Sequence, residues 1–235
     1  RVYASNMCAE IALPSSHEET FTCVLSSLNL LHWDEIKETD AIETLTMFLD
    51  TVCEEFIRKT EGQTYLLRAR EFAKNHRALG AGILGWHSYL QSNMIAFEGT
   101  AAAKLNLEIA KTLRTRSYEA SKELAIVLGE PPLLEGYGMR NTTTMAVAPT
   151  KSSSFILGQV SQSIEPEFSN CYVKDLAKMK VTIKNPYLEK LLQEKDEDKP
   201  EVWEAIRNAD GSVQHLDILT DDEKAVFKTF SEISP

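Results

Sequence analysis

The stretch SNMCAEI, residues 5–11, sets one thiol, Cys8, between an amide, Asn6, and a carboxylate, Glu10. In an extended chain, side chains two apart point the same way, so these three share one face and Met7 and Ala9 take the other. A carboxylate beside a thiol raises the thiol pKa and suppresses the thiolate, which works against a nucleophilic role for Cys8. Chemistry at this sulfur has to use it differently. Taken alone, the cysteine suits a small packed hydrophobe better than a reactive group.

Two further stretches carry candidate chemistry. APTKSSS, residues 148–154, places Thr150, Ser152, Ser153 and Ser154 around Lys151 just after Pro149. Hydroxyls and backbone amides at a turn or helix start can receive phosphate, and the same composition also describes a solvated loop. LGAGILGW holds Gly80, Gly82 and Gly85 in a GxGxxG string. A dinucleotide fingerprint also needs a βαβ unit and an acidic residue roughly 20 positions later. Here one long helical run follows with no second strand, so the glycines are read as close packing of backbone against a helix.

The elements that must position these residues alternate along the chain. EIALP and FTCVLSSLNL, within residues 1–33, are short apolar runs suited to two buried strands joined by a loop. From Asp40 the period becomes helical, with Ile42, Leu45, Phe48, Leu49, Val52 and Phe56 on one stripe, an Asp40/Glu43 capping box, and Cys53 packed inside. Residues 63–75 predict a second helix, and RALGAGILGWHSYLQ a strand, a turn and a helix from near Trp86. Residues 98–128 form the longest helix, with Ala102, Leu105, Ile109, Leu113, Ala120, Leu124 and Leu128 near one stripe and a stop at GEPP. NTTTMAVAP reads as a β-branched strand approaching the TKSSS turn. IEPEFSNCYVKDLAKMKVTI is expected to be partly strand. Two helical pieces around a charged turn follow, then a helix opened by a Thr220/Glu223 capping box. The alternation points to an α/β architecture without a fixed-period repeat.

Composition narrows the function classes. The 235 residues suffice for a real core, and 43% hydrophobic with 26% charged residues is ordinary for a soluble globular protein. No apolar run reaches the roughly 18 residues of a membrane span. A formal charge of -10 opposes binding to a nucleic-acid backbone, whereas a single nucleotide can still be held by backbone amides. Cys8, Cys23, Cys53 and Cys171 lack CxxC spacing and no secretory signal precedes them, which indicates a cytoplasmic setting. His17, His32, His76, His87 and His215 form no ligand pattern, so no metal is expected in this chain. The chain opens on Arg1, and its first residues read as the inside of a domain, so a fragment is expected.

SNMCAEI, FTCVLSSLNL, RALGAGILGWHSYLQ, NTTTMAVAPTKSSS and SQSIEPEFSN resemble, in order and spacing, the large (α) catalytic subunit of class I ribonucleotide reductases. The resemblance spans nearly the whole chain, and PTKSSSFILGQVSQSIEP is similar to the form in T4-type phages. It implies a ten-stranded α/β barrel, with residues 1–235 as its second half and NMCAE on a finger loop threading the centre. The amino-terminal half and carboxy-terminal tail would lie outside this chain.

The resemblance also implies roles. Cys8 matches the cysteine that becomes a thiyl radical and removes the 3′ hydrogen of a ribonucleotide, a role that needs no thiolate. Glu10 matches the base for the 3′-hydroxyl proton, and Asn6 the amide that orients the sugar hydroxyls. Cys23 matches one of two cysteines that end as a disulfide, its partner lying upstream. Pro149, Thr150, Lys151, Ser152 and Ser153 match the substrate phosphate loop. The implied substrate is a ribonucleoside diphosphate, and the implied partners are a dimetal small (β) subunit that supplies the radical, a second large subunit, and thioredoxin or glutaredoxin. ATP and dNTP effectors would bind elsewhere in the full-length protein, in the cytoplasm of a cell, or of a host if phage-encoded. Alone, the fragment is expected to be inactive. Two other readings stay open: a non-catalytic segment completing a split reductase, and a cobalamin or glycyl-radical enzyme of the same barrel.

Overall fold

The computed structural model describes residues 1–176 and 179–234. Residues 177 and 178, within the stretch expected to be partly strand, lie outside the described residues.

Strand β1 (Val24–Asn29) and strand β2 (Leu79–Leu84) pair in parallel, with Val24 opposite Leu79 and Asn29 opposite Leu84. Parallel neighbours need a crossover, which is supplied by α1 (Trp33–Ile36), α2 (Ala41–Lys59) and α3 (Leu67–His76). A third parallel run lies on the other edge of β2. Leu79 and Ala81 donate their N–H groups to the carbonyls of Thr143 (2.9 Å) and Thr144 (2.8 Å), and Ala146 donates back to the Ala81 carbonyl (3.2 Å). Only Met145 forms a formal bridge there, opposite Ala81, so the expected approach strand is one pairing long.

Glycine explains how this third run comes so close. A Cβ on Gly82 would lie 2.4 Å from the Ala146 carbonyl oxygen, and one on Gly80 would lie 2.3 Å from Leu25 Cδ2 and 2.8 Å from Ala146 Cβ. The glycines therefore admit neighbouring strands rather than a helix, which corrects the reading from sequence. Gly85, at φ 78°, turns the chain into α4 (Trp86–Ser92) as strand, turn and helix.

Helix α2 packs on this sheet through Leu49, Cys53 and Ile57, against Leu79 and Ala81. Its buried face is rotated from the expected stripe: Thr46 and Asp50 turn inward while Phe48 is 58% exposed. The cause is a buried ionic clamp. Asp50 accepts from Arg77 Nε (2.8 Å), Arg77 Nη2 (3.0 Å), Arg140 Nε (2.8 Å) and Asn141 Nδ2 (2.9 Å). Burial alone would raise the Asp50 carboxyl, but the bonds and charges of the two arginines outweigh it and hold it below the usual carboxylate range. The Asp40/Glu43 capping box does not form, because Asp40 makes no side-chain cap bond and Glu43 is drawn to Arg116.

Helix α5 (Thr100–Leu128) stops at Gly129 as expected, although Leu128 is exposed rather than on the buried stripe. Its small residues Ser117 and Ser121 let the 141–144 segment lie against it, bonding Thr144 Oγ1 and Asn141 Oδ1 at 2.8 Å each. Beyond α6 (Lys151–Ile156), strands β3 (Cys171–Leu176) and β4 (Met179–Lys184) pair antiparallel. They lead to α7 (Pro186–Glu194), α8 (Pro200–Asn208) and α9 (Asp221–Val226). Leu188, Leu192, Trp203, Ile206 and Phe227 form a separate core there. Thr220 and Glu223 make the expected capping box. Among the described residues no helix is long and apolar enough to cross a membrane.

Candidate active site

Residues 5–11 are not extended. Ala9 sits at φ 63° and its N–H bonds the Asn6 carbonyl (3.1 Å), while Asn6 Oδ1 accepts the Ile11 N–H (3.0 Å). The side chain of Asn6 thus ties off a tight turn instead of sharing a face with Cys8 and Glu10. This corrects the one-face expectation, and the reason is local: an asparagine carbonyl competes well for a backbone donor a few residues on. The first of the two expected strands is also absent. EIALP has no strand partner among the described residues, although Ile11 and Leu13 are still buried beside Phe72 and Ala78.

Met7 and Cys8 stand at the exposed tip of the turn, Met7 at 99% exposure. Glu10 folds back to the body. There a cavity of about 150 Å³ is lined by Glu10, Ile11, Leu13, Cys23, Thr143 and Met145 among others. One carboxylate oxygen of Glu10, Oε2, is buried with no hydrogen-bond partner among the described residues. The Cys23 thiol is pushed up to about 12, first by burial and then by the nearby Cys53 and Glu10 charges. It is held as a neutral thiol, and it has room because Gly80 lacks a Cβ that would approach Cys23 Sγ to 3.2 Å. All four cysteines are free.

The cavity brings Glu10 and Cys23 together, while Cys8 and the 149–153 turn are not among its lining residues. The wall missed by sequence reading is Thr143 and Met145. Their β-branched run was visible, but which of its residues face the cavity depends on the Gly82 contact far away in sequence. That wall continues into the 149–153 turn. Thr150 holds the left-handed conformation, φ 47°, at the start of α6, and its Oγ1 accepts the Ser163 N–H (2.8 Å), leaving its own hydroxyl hydrogen available. Lys151, Ser152 and Ser153 are exposed; Pro149 and Thr150 are half-buried.

The family described as "Ribonucleotide reductase, barrel domain" matches residues 1–134 and 133–235. The putative ribonucleoside-diphosphate reductase large subunit of Frog virus 3 (isolate Goorha) is 38% identical over 234 residues, covering 99% of this chain and 41% of that protein. The ribonucleoside-diphosphate reductase large subunit of Invertebrate iridescent virus 6 is 41% identical, covering 98% of this chain and 24% of its own length. Among solved structures, the class Id ribonucleotide reductase alpha subunit of Actinobacillus ureae superposes with a TM-score of 0.93 at 59% identity, over 99% of this chain and 43% of that one. The chain thus spans less than half the length of each of these relatives. Its parallel strands with helical crossovers are part of an α/β barrel, and the chain belongs to the ribonucleotide reductase barrel-domain family.

Proposed function

We propose that this chain is part of the catalytic large subunit of a class I ribonucleoside-diphosphate reductase, which makes 2′-deoxyribonucleotides for DNA synthesis. The observation that carries the reading is the shared cavity of Glu10 and Cys23 at the foot of the Cys8 turn. A buried carboxylate oxygen with unused acceptor capacity suits a base waiting for a substrate hydroxyl. A neutral buried thiol suits a donor of hydrogen rather than a nucleophile.

In this reading Cys8, as a thiyl radical, takes the 3′ hydrogen atom and becomes a thiol. Glu10 takes the 3′-hydroxyl proton as the 2′-hydroxyl, receiving one proton from the pair formed by Cys23 and a cysteine outside this chain, leaves as water. That pair gives its second proton and two electrons to the sugar and becomes a disulfide, Glu10 returns its proton to the 3′ oxygen, and Cys8 returns the hydrogen to the 3′ carbon. Asn6 holds the turn that presents Cys8. Pro149, Thr150, Lys151, Ser152 and Ser153 receive the phosphates. The radical comes from a dimetal small subunit. A second large subunit, thioredoxin or glutaredoxin, ATP and dNTP effectors and a cytoplasmic setting complete the proposal.

The test is Cys8→Ser in the full-length reductase, a nearly isosteric change at an exposed tip. Deoxynucleotide formation should vanish while diphosphate affinity stays within about twofold, because the group acts only in the radical step. Turnover above background in this variant rejects the radical role.

A further inference from the structure

The turn before α6 is held in a costly conformation by groups distant in sequence. Among the described residues eight non-glycine positions have positive φ, and three of them, Thr150 (47°), Gln159 (57°) and Ser163 (50°), fall within residues 150–163. Such backbone costs on the order of 1–3 kcal/mol per residue and persists only where surrounding structure over-determines it. Here the Ser163 N–H bonds Thr150 Oγ1 (2.8 Å), joining two of the three strained residues directly.

The segment carrying Ser163 is itself pinned to the start of α4. Ser161 N–H donates to Ser88 Oγ (2.8 Å), and Ser88 N–H donates to Ser161 Oγ (3.0 Å). The Gly85 and Trp86 amides donate to the carbonyls of Ser161 (2.8 Å) and Ser163 (3.3 Å). Ser88, Ser161 and Ser163 are all at most 3% exposed, so no water competes for these bonds. Two buried serines exchanging side-chain and backbone bonds satisfy four groups at once, and losing either hydroxyl strands a buried amide.

We propose that the reciprocal Ser88–Ser161 pair, through Ser163, locks Thr150 in its left-handed state before ligand arrives, which makes Ser88 and Ser161 positioning residues for bound phosphate. The inference rests on the reading of Pro149–Ser153 as the phosphate turn. Neither serine touches ligand in this scheme. Removing the lock lowers the fraction of molecules whose turn is ready, and apparent affinity falls by that fraction while the saturated complex reacts normally.

The experiment compares Ser88→Ala, Ser161→Ala and a Ser152→Ala/Ser153→Ala double variant in the full-length reductase. It measures KM and kcat with a ribonucleoside diphosphate, and Kd for the unphosphorylated nucleoside. The expected result is a diphosphate KM raised about 5- to 30-fold in both brace variants. Saturated kcat should stay within about twofold, nucleoside Kd should not move, and the double variant should lose diphosphate affinity. If the double variant weakens diphosphate but the brace variants keep the original KM, or lose nucleoside affinity equally, the brace is overturned and the phosphate turn stands. If the double variant changes nothing, the phosphate turn falls and the brace with it. Hydrogen exchange on the unaltered protein guards against variants that do not fold. The Ser161 and Ser163 amides should be protected without nucleotide, and protection that appears only after diphosphate is added overturns the preformed lock.

Discussion

The backbone N–H of Glu167 donates to Nδ1 of His87 at 2.9 Å, tying the loop after α6 to a ring with no solvent exposure. The bond requires His87 to be neutral at Nδ1, and burial holds its pKa down at about 4. Burial pushes the Glu167 carboxyl the other way, up to about 7. The two titrations have opposite consequences for stability. Between about 4 and 6.5 the unfolded chain protonates His87 and the folded one does not, so stability rises with pH. Between 4.5 and about 7 the folded chain keeps the Glu167 proton and the unfolded one loses it, so stability falls with pH. Over their overlap the two slopes oppose each other. Glu167→Gln removes only the falling contribution. The variant should therefore gain on the parent as pH rises from 4.5 to about 7, by at most about 1.4 kcal/mol per pH unit, and hold constant above. Urea unfolding of both proteins across that range reads this directly; a pH-independent difference contradicts the Glu167 assignment.

Asp50 is the acceptor for two buried arginines, and its loss takes the carboxylate from Arg140 and leaves Arg77 only its bond to Glu54 (2.7 Å). Asp50→Ala should cost about 3–5 kcal/mol of unfolding free energy, as removal of one partner from a buried ion pair does. It should also loosen the 141–146 run, since Asn141 bonds the same carboxylate. Denaturant titration checks the first effect and hydrogen exchange at Ala146 the second. A cost under about 1 kcal/mol would place the clamp among ion pairs of no net consequence.

Gly82→Ala tests the close approach of strand β2 to the cavity wall. Its methyl group would meet a backbone carbonyl, Ala146 O, rather than a yielding side chain. We expect destabilisation of about 1–3 kcal/mol, with faster exchange of the Ala146 amide that bonds Ala81. An alanine tolerated without cost means that the wall can retreat freely.

What the sequence made legible follows from the range of the forces involved. The β2–Gly85–α4 turn, the end of α5 at Gly129 and the Thr220/Glu223 capping box are set within a few residues, and each appears as expected. Asp40/Glu43 has the same local pattern as Thr220/Glu223 and fails, because Arg116, 73 residues beyond Glu43, takes its carboxylate. The rotated face of α2 and the Thr143–Met145 wall likewise depend on Arg77, Arg140 and Gly82, whose contacts no periodicity encodes. At the site, the residue types of the Cys8 turn were legible and its shape was not. Side chains two apart share a face only in extended backbone, and Ala9, at φ 63°, reverses the chain there.

Glu10 and Cys23 offer the last test, because their shared cavity couples a catalytic property to one unrelated to turnover. Glu10→Gln keeps the size of the side chain and removes its charge and its capacity as a base. In the full-length reductase, turnover should fall about 10²–10⁴-fold, the usual worth of a positioned proton acceptor, with diphosphate affinity little changed. The Cys23 thiol should respond as well, since the Glu10 carboxylate contributes to holding its pKa up near 12. With that charge gone, alkylation of Cys23 at a fixed pH of about 9 should quicken, as its thiolate fraction grows. Mass spectrometry of the labelled peptide follows Cys23 apart from the other three cysteines. Slower turnover with unchanged Cys23 labelling would separate the two residues electrostatically, and unchanged turnover would remove Glu10 from the chemistry.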